Sequence, residues 1–223
     1  MKIIDLIFPV KCPLCNKCVS EKESTFPLCK ECQQLQEKEE YVIENNVLEF
    51  LPRNTKLYCV YKYNGILRDS VLKYKFGGEI WKAKPFAAMI IKNIEKTAGF
   101  EGIDIITYVP VNKKRLAKRG FDQTLEIAKE ISKRKKIPLA KCFEKDDSFG
   151  DNASENKDRY KRVTEKKYSF VGNASKIYRK NVLLIDDILT TGATLSECTE
   201  LLLRKGAESI MAAVLASGRK DIL

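Results

Sequence analysis

The sequence predicts an α/β fold, a parallel sheet flanked by helices, preceded by a small N-terminal four-cysteine unit. Three observations predict it. Five of the eight cysteines crowd between positions 12 and 32. The apolar run Asn181–Ile185 (NVLLI) leads directly into two aspartates, a Thr/Gly turn and a helical pattern. A second apolar run, Ile103–Val109 (IDIITYV), closes on Pro110 and a strongly basic segment. At 223 residues the chain holds one medium α/β domain and an appendage, since a single core serves about 100 to 200 residues.

From the N-terminus, Met1–Phe8 is too short for a signal peptide and carries Asp5, so a packing helix and a cytoplasmic protein are expected. No apolar run approaches the roughly 20 residues that cross a bilayer, so no transmembrane segment is expected. Cys12-Pro13-Leu14-Cys15 and Cys29-Lys30-Glu31-Cys32 form two C-x-x-C pairs. Two tight turns of this kind offer four sulfurs to one tetrahedral zinc. A disulfide is the competing reading, but a chain without an export signal sits among reducing thiols, which favours the metal. Cys18 is surplus to a four-cysteine site. It competes with Cys15 as a ligand, and the usual C-x-x-C turn favours Cys12, Cys15, Cys29 and Cys32. A closed four-thiolate site leaves no open coordination position, so its expected role is structural or a docking surface. Cys59, Cys142 and Cys198 are isolated and expected to be packed.

Gln33–Glu40 (QQLQEKEE) reads as a helix leaving this knuckle, and Asn45-Asn46 with Pro52 break the pattern. A boundary near residue 55 follows: a zinc-binding unit over 1–55 and a second domain over 56–223. Lys56–Tyr63 alternates as a strand, Gly65–Tyr74 follows with helical spacing, and Lys73, Lys75 and Gly77-Gly78 come next. Pro110–Gly120 (PVNKKRLAKRG) reads as a basic loop at a strand's carboxyl end, suited to neutralising a pyrophosphate through Lys113, Arg115 and Arg119. Glu144–Arg162 is polar with hardly any hydrophobic pattern, as expected of a mobile loop. Ser209–Ala216 (SIMAAVLA) closes the fold as a strand.

Charge narrows the partners. Lys and Arg number 41 against 30 Asp and Glu, a net +11, which favours phosphate-bearing or polyanionic ligands. The absence of histidine excludes His general bases, Ser-His and Cys-His pairs and mixed Cys/His metal sites.

The chemistry concentrates after Asn181–Ile185. A strand buried on both faces is followed by Asp186-Asp187, then by Thr190-Thr191-Gly192-Ala193-Thr194, then by a helix from Leu195 to Leu203. Ligands of open α/β sheets bind beyond the strands' carboxyl ends, and a Gly/Thr turn opening a helix offers N–H groups and hydroxyls to a phosphate. Two carboxylates beside it suit ribose hydroxyls and would stabilise positive charge growing on an anomeric carbon.

Val182–Leu195 (VLLIDDILTTGATL) resembles the phosphoribosyl pyrophosphate motif of type I phosphoribosyltransferases. Joined to the N-terminal cysteine pairs, it makes the chain similar to the ComF family of competence-associated proteins over nearly its whole length. The resemblance implies that Asp186 and Asp187 contact the ribose hydroxyls, and that Thr190 to Thr194 hold the 5-phosphate. Arg115, Arg119, Gly120, Phe121 and Gln123 are similar to the family's R-x-x-x-R-G-F-N-Q segment, with Asp122 where Asn is usual. The Lys-aromatic-Gly run makes Lys73 and Lys75 candidates to face a nucleic acid. In the polar stretch Arg159 matches the family, whereas Arg162, Asp151 and Ser154 depart from it.

The resemblance thus implies a protein of natural transformation that binds phosphoribosyl pyrophosphate with magnesium, handles single-stranded DNA, and has a DNA-uptake helicase as a possible partner. An active phosphoribosyltransferase and a zinc-knuckle adaptor with a nucleotide-sensing site are the alternatives.

Overall fold

The computed structural model describes residues 11–19, 28–39, 51–147 and 167–219. The expected helix at Met1–Phe8, and residues 148–162 of the polar stretch with Arg159, lie outside them. Helix α1 (Lys30–Glu39) leaves the second cysteine pair. Strand β1 (Thr55–Lys62), helix α2 (Gly65–Phe76), a 3-10 turn (Ile80–Lys82) and helix α3 (Ala83–Thr97) follow. Strand β2 (Ile105–Tyr108), helices α4 (Lys113–Arg119) and α5 (Gln123–Lys135), and strands β3 (Phe143–Lys145) and β4 (Tyr168–Phe170) come next. Strand β5 (Asn181–Leu189), helix α6 (Ala193–Arg204) and strand β6 (Ser209–Ser217) complete the fold.

Four strands form one sheet in the order β1-β6-β5-β2, every neighbouring pair parallel. Side chains alternate between its faces. Leu183 and Ile185 of β5 pack with α2, α3 and α5, whereas Val182 and Leu184 pack with α6 and the antiparallel β3–β4 hairpin. Both faces are therefore covered, which explains why Val182–Ile185 of β5 and Ile210–Ala216 of β6 read as unbroken apolar runs. The cysteine knuckle shares the first of these cores: Cys12, Leu14 and Leu28 are buried in the cluster that holds Leu67, Val71 and Tyr74 of α2.

The basic segment 110–120 is a correction to the expected loop, because Lys113–Arg119 forms a short helix. Asn112 caps it by accepting from Arg115 N–H at 2.8 Å, and Gly120 closes it at φ +79°, a conformation that glycine adopts without a Cβ penalty.

The topology creates a crevice. After β2 the chain crosses to the sheet's outer edge, where Ile106 N–H donates to the Pro138 carbonyl at 2.8 Å. After β5 it crosses through α6 to β6, in the opposite direction. The two connections part between β2 and β5, and the carboxyl ends of those strands open into a cleft, as at other switch points of α/β sheets. Among the described residues no helix is long and apolar enough to cross a membrane.

Candidate phosphoribosyl site and metal knuckle

The cleft at that switch point encloses about 280 Å³ and is walled mainly by polar groups. Asp186, Asp187, Thr190 and Thr194 enter it from the end of β5 and the following turn. Arg115 of α4, Gln123 of α5 and Lys75 of α2 face them. Lys145 and Tyr168 approach from the β3–β4 hairpin, and Tyr63 from the end of β1.

The two adjacent aspartates have different surroundings. Asp187 is buried and accepts from the Lys75 ammonium at 2.8 Å and the Gln123 amide at 3.1 Å, both on Oδ2. Burial alone pushes its carboxyl up, but Lys75 and these hydrogen bonds outweigh burial and hold it below the usual carboxylate range. Among the described residues Asp186 has no such counter-ion in contact. Burial, then the Asp187 charge, push its carboxyl up, opposed by the Asp187 N–H that donates to Oδ1 at 2.8 Å.

The turn after the acid pair owes its shape to Gly192, which sits at φ +85° as the N-cap of α6. A Cβ there would force a side-chain residue into the left-handed region. Ala193 N–H donates to Thr191 Oγ1 at 3.3 Å, and Arg219, just beyond β6, donates to the Thr191 carbonyl at 2.8 Å. Arg219 carries no sequence signal; only the parallel pairing of β5 with β6 brings it here. Carboxylate acceptors, hydroxyls, N–H groups at a helix start and the three cations Lys75, Arg115 and Lys145 thus share one cavity, the complement of a polyhydroxylated, phosphorylated ligand.

Residues singled out from sequence fall into three groups. Asp186, Asp187, Thr190, Thr194 and Arg115 line the cleft, with Thr191, Gly192 and Ala193 forming the turn at its edge. Arg119 reaches it at one remove, donating to Gln123 Oε1 at 2.8 Å. Lys113 is exposed and outside the lining; its backbone N–H donates to Asp147. Lys75 lies in the cleft against Asp187, whereas Lys73 is exposed.

Asp122, the departure from the expected Asn, does not face the cleft as a free charge. Its Oδ1 accepts from Thr124 and Leu125 N–H, and Oδ2 from Val111 N–H, all at 3.1 Å. It caps α5 and pins the segment after β2. Burial raises its carboxyl despite these donors.

At the knuckle, the Sγ atoms of Cys12, Cys15, Cys29 and Cys32 lie within 4.8 Å of one another, and Cys15 and Cys29 stand 3.7 Å apart. Four thiolates about 2.3 Å from a tetrahedral metal sit roughly 3.8 Å from each other, so the cluster is spaced for a metal such as zinc. Burial raises the Cys12 thiol, yet donors from the backbone of Cys15, Cys29 and Leu14 more than offset it and leave it lowered, whereas burial keeps the Cys15 and Cys32 thiols raised. Cys18 is exposed and outside the cluster, while Cys59, Cys142 and Cys198 are buried in the domain core.

Sequence reasoning missed Lys82. Its side chain has no exposure, and its ammonium donates to the Pro13 carbonyl at 2.7 Å and Ser70 Oγ at 2.8 Å, beside the Glu79 carboxylate at 2.9 Å. Burial lowers its pKa against the pull of Glu79. A lysine in the sequence gives no sign of such burial, because lysines are overwhelmingly solvated.

Comparison with known proteins agrees with this architecture. Residues 116–223 match the family described as phosphoribosyl transferase domain. The chain is 29% identical over 152 residues to Competence protein ComFC of Streptococcus pneumoniae, covering 68% of this chain and 64% of that relative. It is 25% identical over 203 residues to Competence protein F of Haemophilus influenzae, covering 88% and 87%. It is also 25% identical over 195 residues to Competence protein ComFC of Bacillus subtilis, covering 87% and 72%. A parallel sheet, an acid pair over a Thr/Gly turn, an N-terminal four-cysteine cluster, a match to a phosphoribosyl transferase domain over residues 116–223 and similarity to three competence proteins together support a ComF-family protein with a phosphoribosyltransferase domain.

Proposed function

We propose that the cleft binds phosphoribosyl pyrophosphate with magnesium, and that the protein acts in the cytoplasm on single-stranded DNA during natural transformation. The observation that carries the ligand is the acid pair of β5 opposite Lys75 and Arg115. In this reading Asp186 and Asp187 accept from the ribose hydroxyls, and Thr190 to Thr194 surround the 5-phosphate at the start of α6. Arg115 and Lys75 face the pyrophosphate, whose charge magnesium shares. Isothermal titration in magnesium buffer tests it. Binding of phosphoribosyl pyrophosphate at one site per chain supports the reading; no heat with it or with ribose 5-phosphate contradicts it.

The DNA part is supported by three things: the names of the competence relatives, the net charge of +11, and an aromatic and basic surface beside the cleft. Phe76 is 63% exposed and the Arg119 guanidinium stands 4.6 Å from its ring centre. Trp81 is exposed, as are Lys73, Lys114 and Lys118. Bases stack on aromatic faces while cations track the backbone.

A specific observation favours transfer as a second reading. Tyr168 and Lys145 of the β3–β4 hairpin line the cleft beside Thr194 at the start of α6, and an acceptor would lie against them. There the ribosyl C1–O bond to pyrophosphate would break as a bond to an acceptor nitrogen forms and that nitrogen loses its proton. Release of pyrophosphate that requires an added base or amine supports transfer. At the knuckle, zinc held by Cys12, Cys15, Cys29 and Cys32 would be structural and leave that face able to dock a partner such as a helicase.

A further inference from the structure

A fully buried ammonium is costly unless it is paired and hydrogen-bonded, and Lys82 donates to the Pro13 carbonyl and Ser70 Oγ with the Glu79 carboxylate as its counter-ion. Pro13 lies between Cys12 and Cys15, inside the first turn of the cysteine cluster. Ser70 of α2 donates its hydroxyl to the same Pro13 carbonyl. The first cysteine turn, the middle of α2 and the turn before α3 therefore meet at one carbonyl oxygen.

The other end of α2 reaches the cleft. Lys75 pairs with Asp187 Oδ2, and the neighbouring Tyr74 hydroxyl donates to the Gln123 carbonyl at 2.6 Å. Gln123 in turn donates to that same Asp187 oxygen. From Ser70 to Lys75 the helix advances about 7.5 Å, at 1.5 Å per residue. A rigid segment of that length, held by hydrogen bonds at both ends, transmits displacement at one end to the other.

We infer that Lys82 is a positioning residue that fastens the four-cysteine knuckle to α2, so that metal occupancy of the knuckle sets the placement of Lys75 against Asp187. The coupling itself stands on hydrogen bonds; its effect on ligand affinity rests on the reading of the cleft as a phosphoribosyl site. By linkage, a metal that orders α2 for the ligand is itself held more tightly when the ligand is bound.

Amide hydrogen exchange of the full chain tests the coupling without any ligand. Three states are compared: zinc-loaded wild type, chelator-treated wild type, and zinc-loaded Lys82→Met. Faster exchange is expected in residues 67–76 and 123–127, beyond the knuckle itself, on chelation and in Lys82→Met. Exchange that changes only within 11–39 in both states overturns the inference. Should chelation unfold the whole chain, Lys82→Met, which keeps its zinc, decides; should that variant fail to fold, Ser70→Ala gives the same segments a smaller change. With ligand added, Lys82→Met should bind phosphoribosyl pyrophosphate about fivefold or more weakly at unchanged zinc content. Saturating ligand should slow zinc release to a chelator in the wild type. A wild type that binds no phosphoribosyl pyrophosphate while exchange still spreads into α2 would refute the ligand assignment and leave the coupling standing.

Discussion

Adjacent carboxylates in one cleft repel, and the protein separates them by giving a counter-ion to only one. Asp187 has Lys75 and Gln123, while Asp186 meets burial and the Asp187 charge. A carboxyl whose folded pKa is raised binds its proton more tightly in the native state. Its cost to stability is absent well below the unfolded value of about 3.9, grows as pH rises above it, and levels off beyond the folded value. Asp186→Asn should therefore stabilise the ligand-free protein at neutral pH, by roughly 1 kcal/mol or more, and by little near pH 4. Urea denaturation at the two pH values measures this; equal stability of variant and wild type at neutral pH would show that Asp186 is not held against its charge. Sequence placed Asp186 and Asp187 in the cleft because a strand, an acid pair and a Gly/Thr turn form one contiguous motif. It did not show where Lys75 points, since that depends on how far α2 turns before Gly77 ends it, nor that Asp122 spends its carboxylate on a helix cap.

The elements were legible where a single physical signal dominates. β5 and β6 are apolar runs, and the spacing of the cysteine pairs declares the knuckle. α3 is obscured because burial extends around much of its circumference, including Pro85, Ala87, Met89, Ile91 and Asn93. The β3–β4 hairpin is obscured because its strands are three residues long and far apart in sequence. The signals for α4 were present in Asn112 and Gly120, but the run of basic residues between them reads equally well as a loop. At the knuckle the geometry selects Cys15 over Cys18. Cys18→Ser should retain one zinc per chain, and Cys15→Ser should lose it together with the knuckle's fold, since structural zinc sites supply on the order of 10 kcal/mol. Metal analysis of both variants checks this; loss of zinc from Cys18→Ser alone would reverse the assignment.

Over the whole molecule, the sheet gathers the cleft at its carboxyl edge, and α4 and the end of α2 set basic and aromatic groups beside it. If single-stranded DNA follows that surface, the logarithm of affinity should fall with the logarithm of salt concentration by about 0.7 for each phosphate neutralised. Phe76→Ala should cost about 1 to 3 kcal/mol, the worth of one stacked base, while leaving the salt slope unchanged. Fluorescence anisotropy with a labelled oligonucleotide across a salt series reports both, and a flat slope would rule out backbone binding. Strand order, the shared core of knuckle and sheet, and the burial of Lys82 belong to this scale. None has a local sequence signal, because each depends on contacts between distant segments.

The central claim is that the acid pair of β5 makes a phosphoribosyl pyrophosphate site. The most direct test is the melting temperature of wild type and Asp186→Asn with and without phosphoribosyl pyrophosphate and magnesium. At about 100 times its dissociation constant a ligand adds about 2.7 kcal/mol of stability. The account predicts a clear upward shift in the wild type and little or none in Asp186→Asn. Equal shifts in both proteins, or none in the wild type, would contradict it.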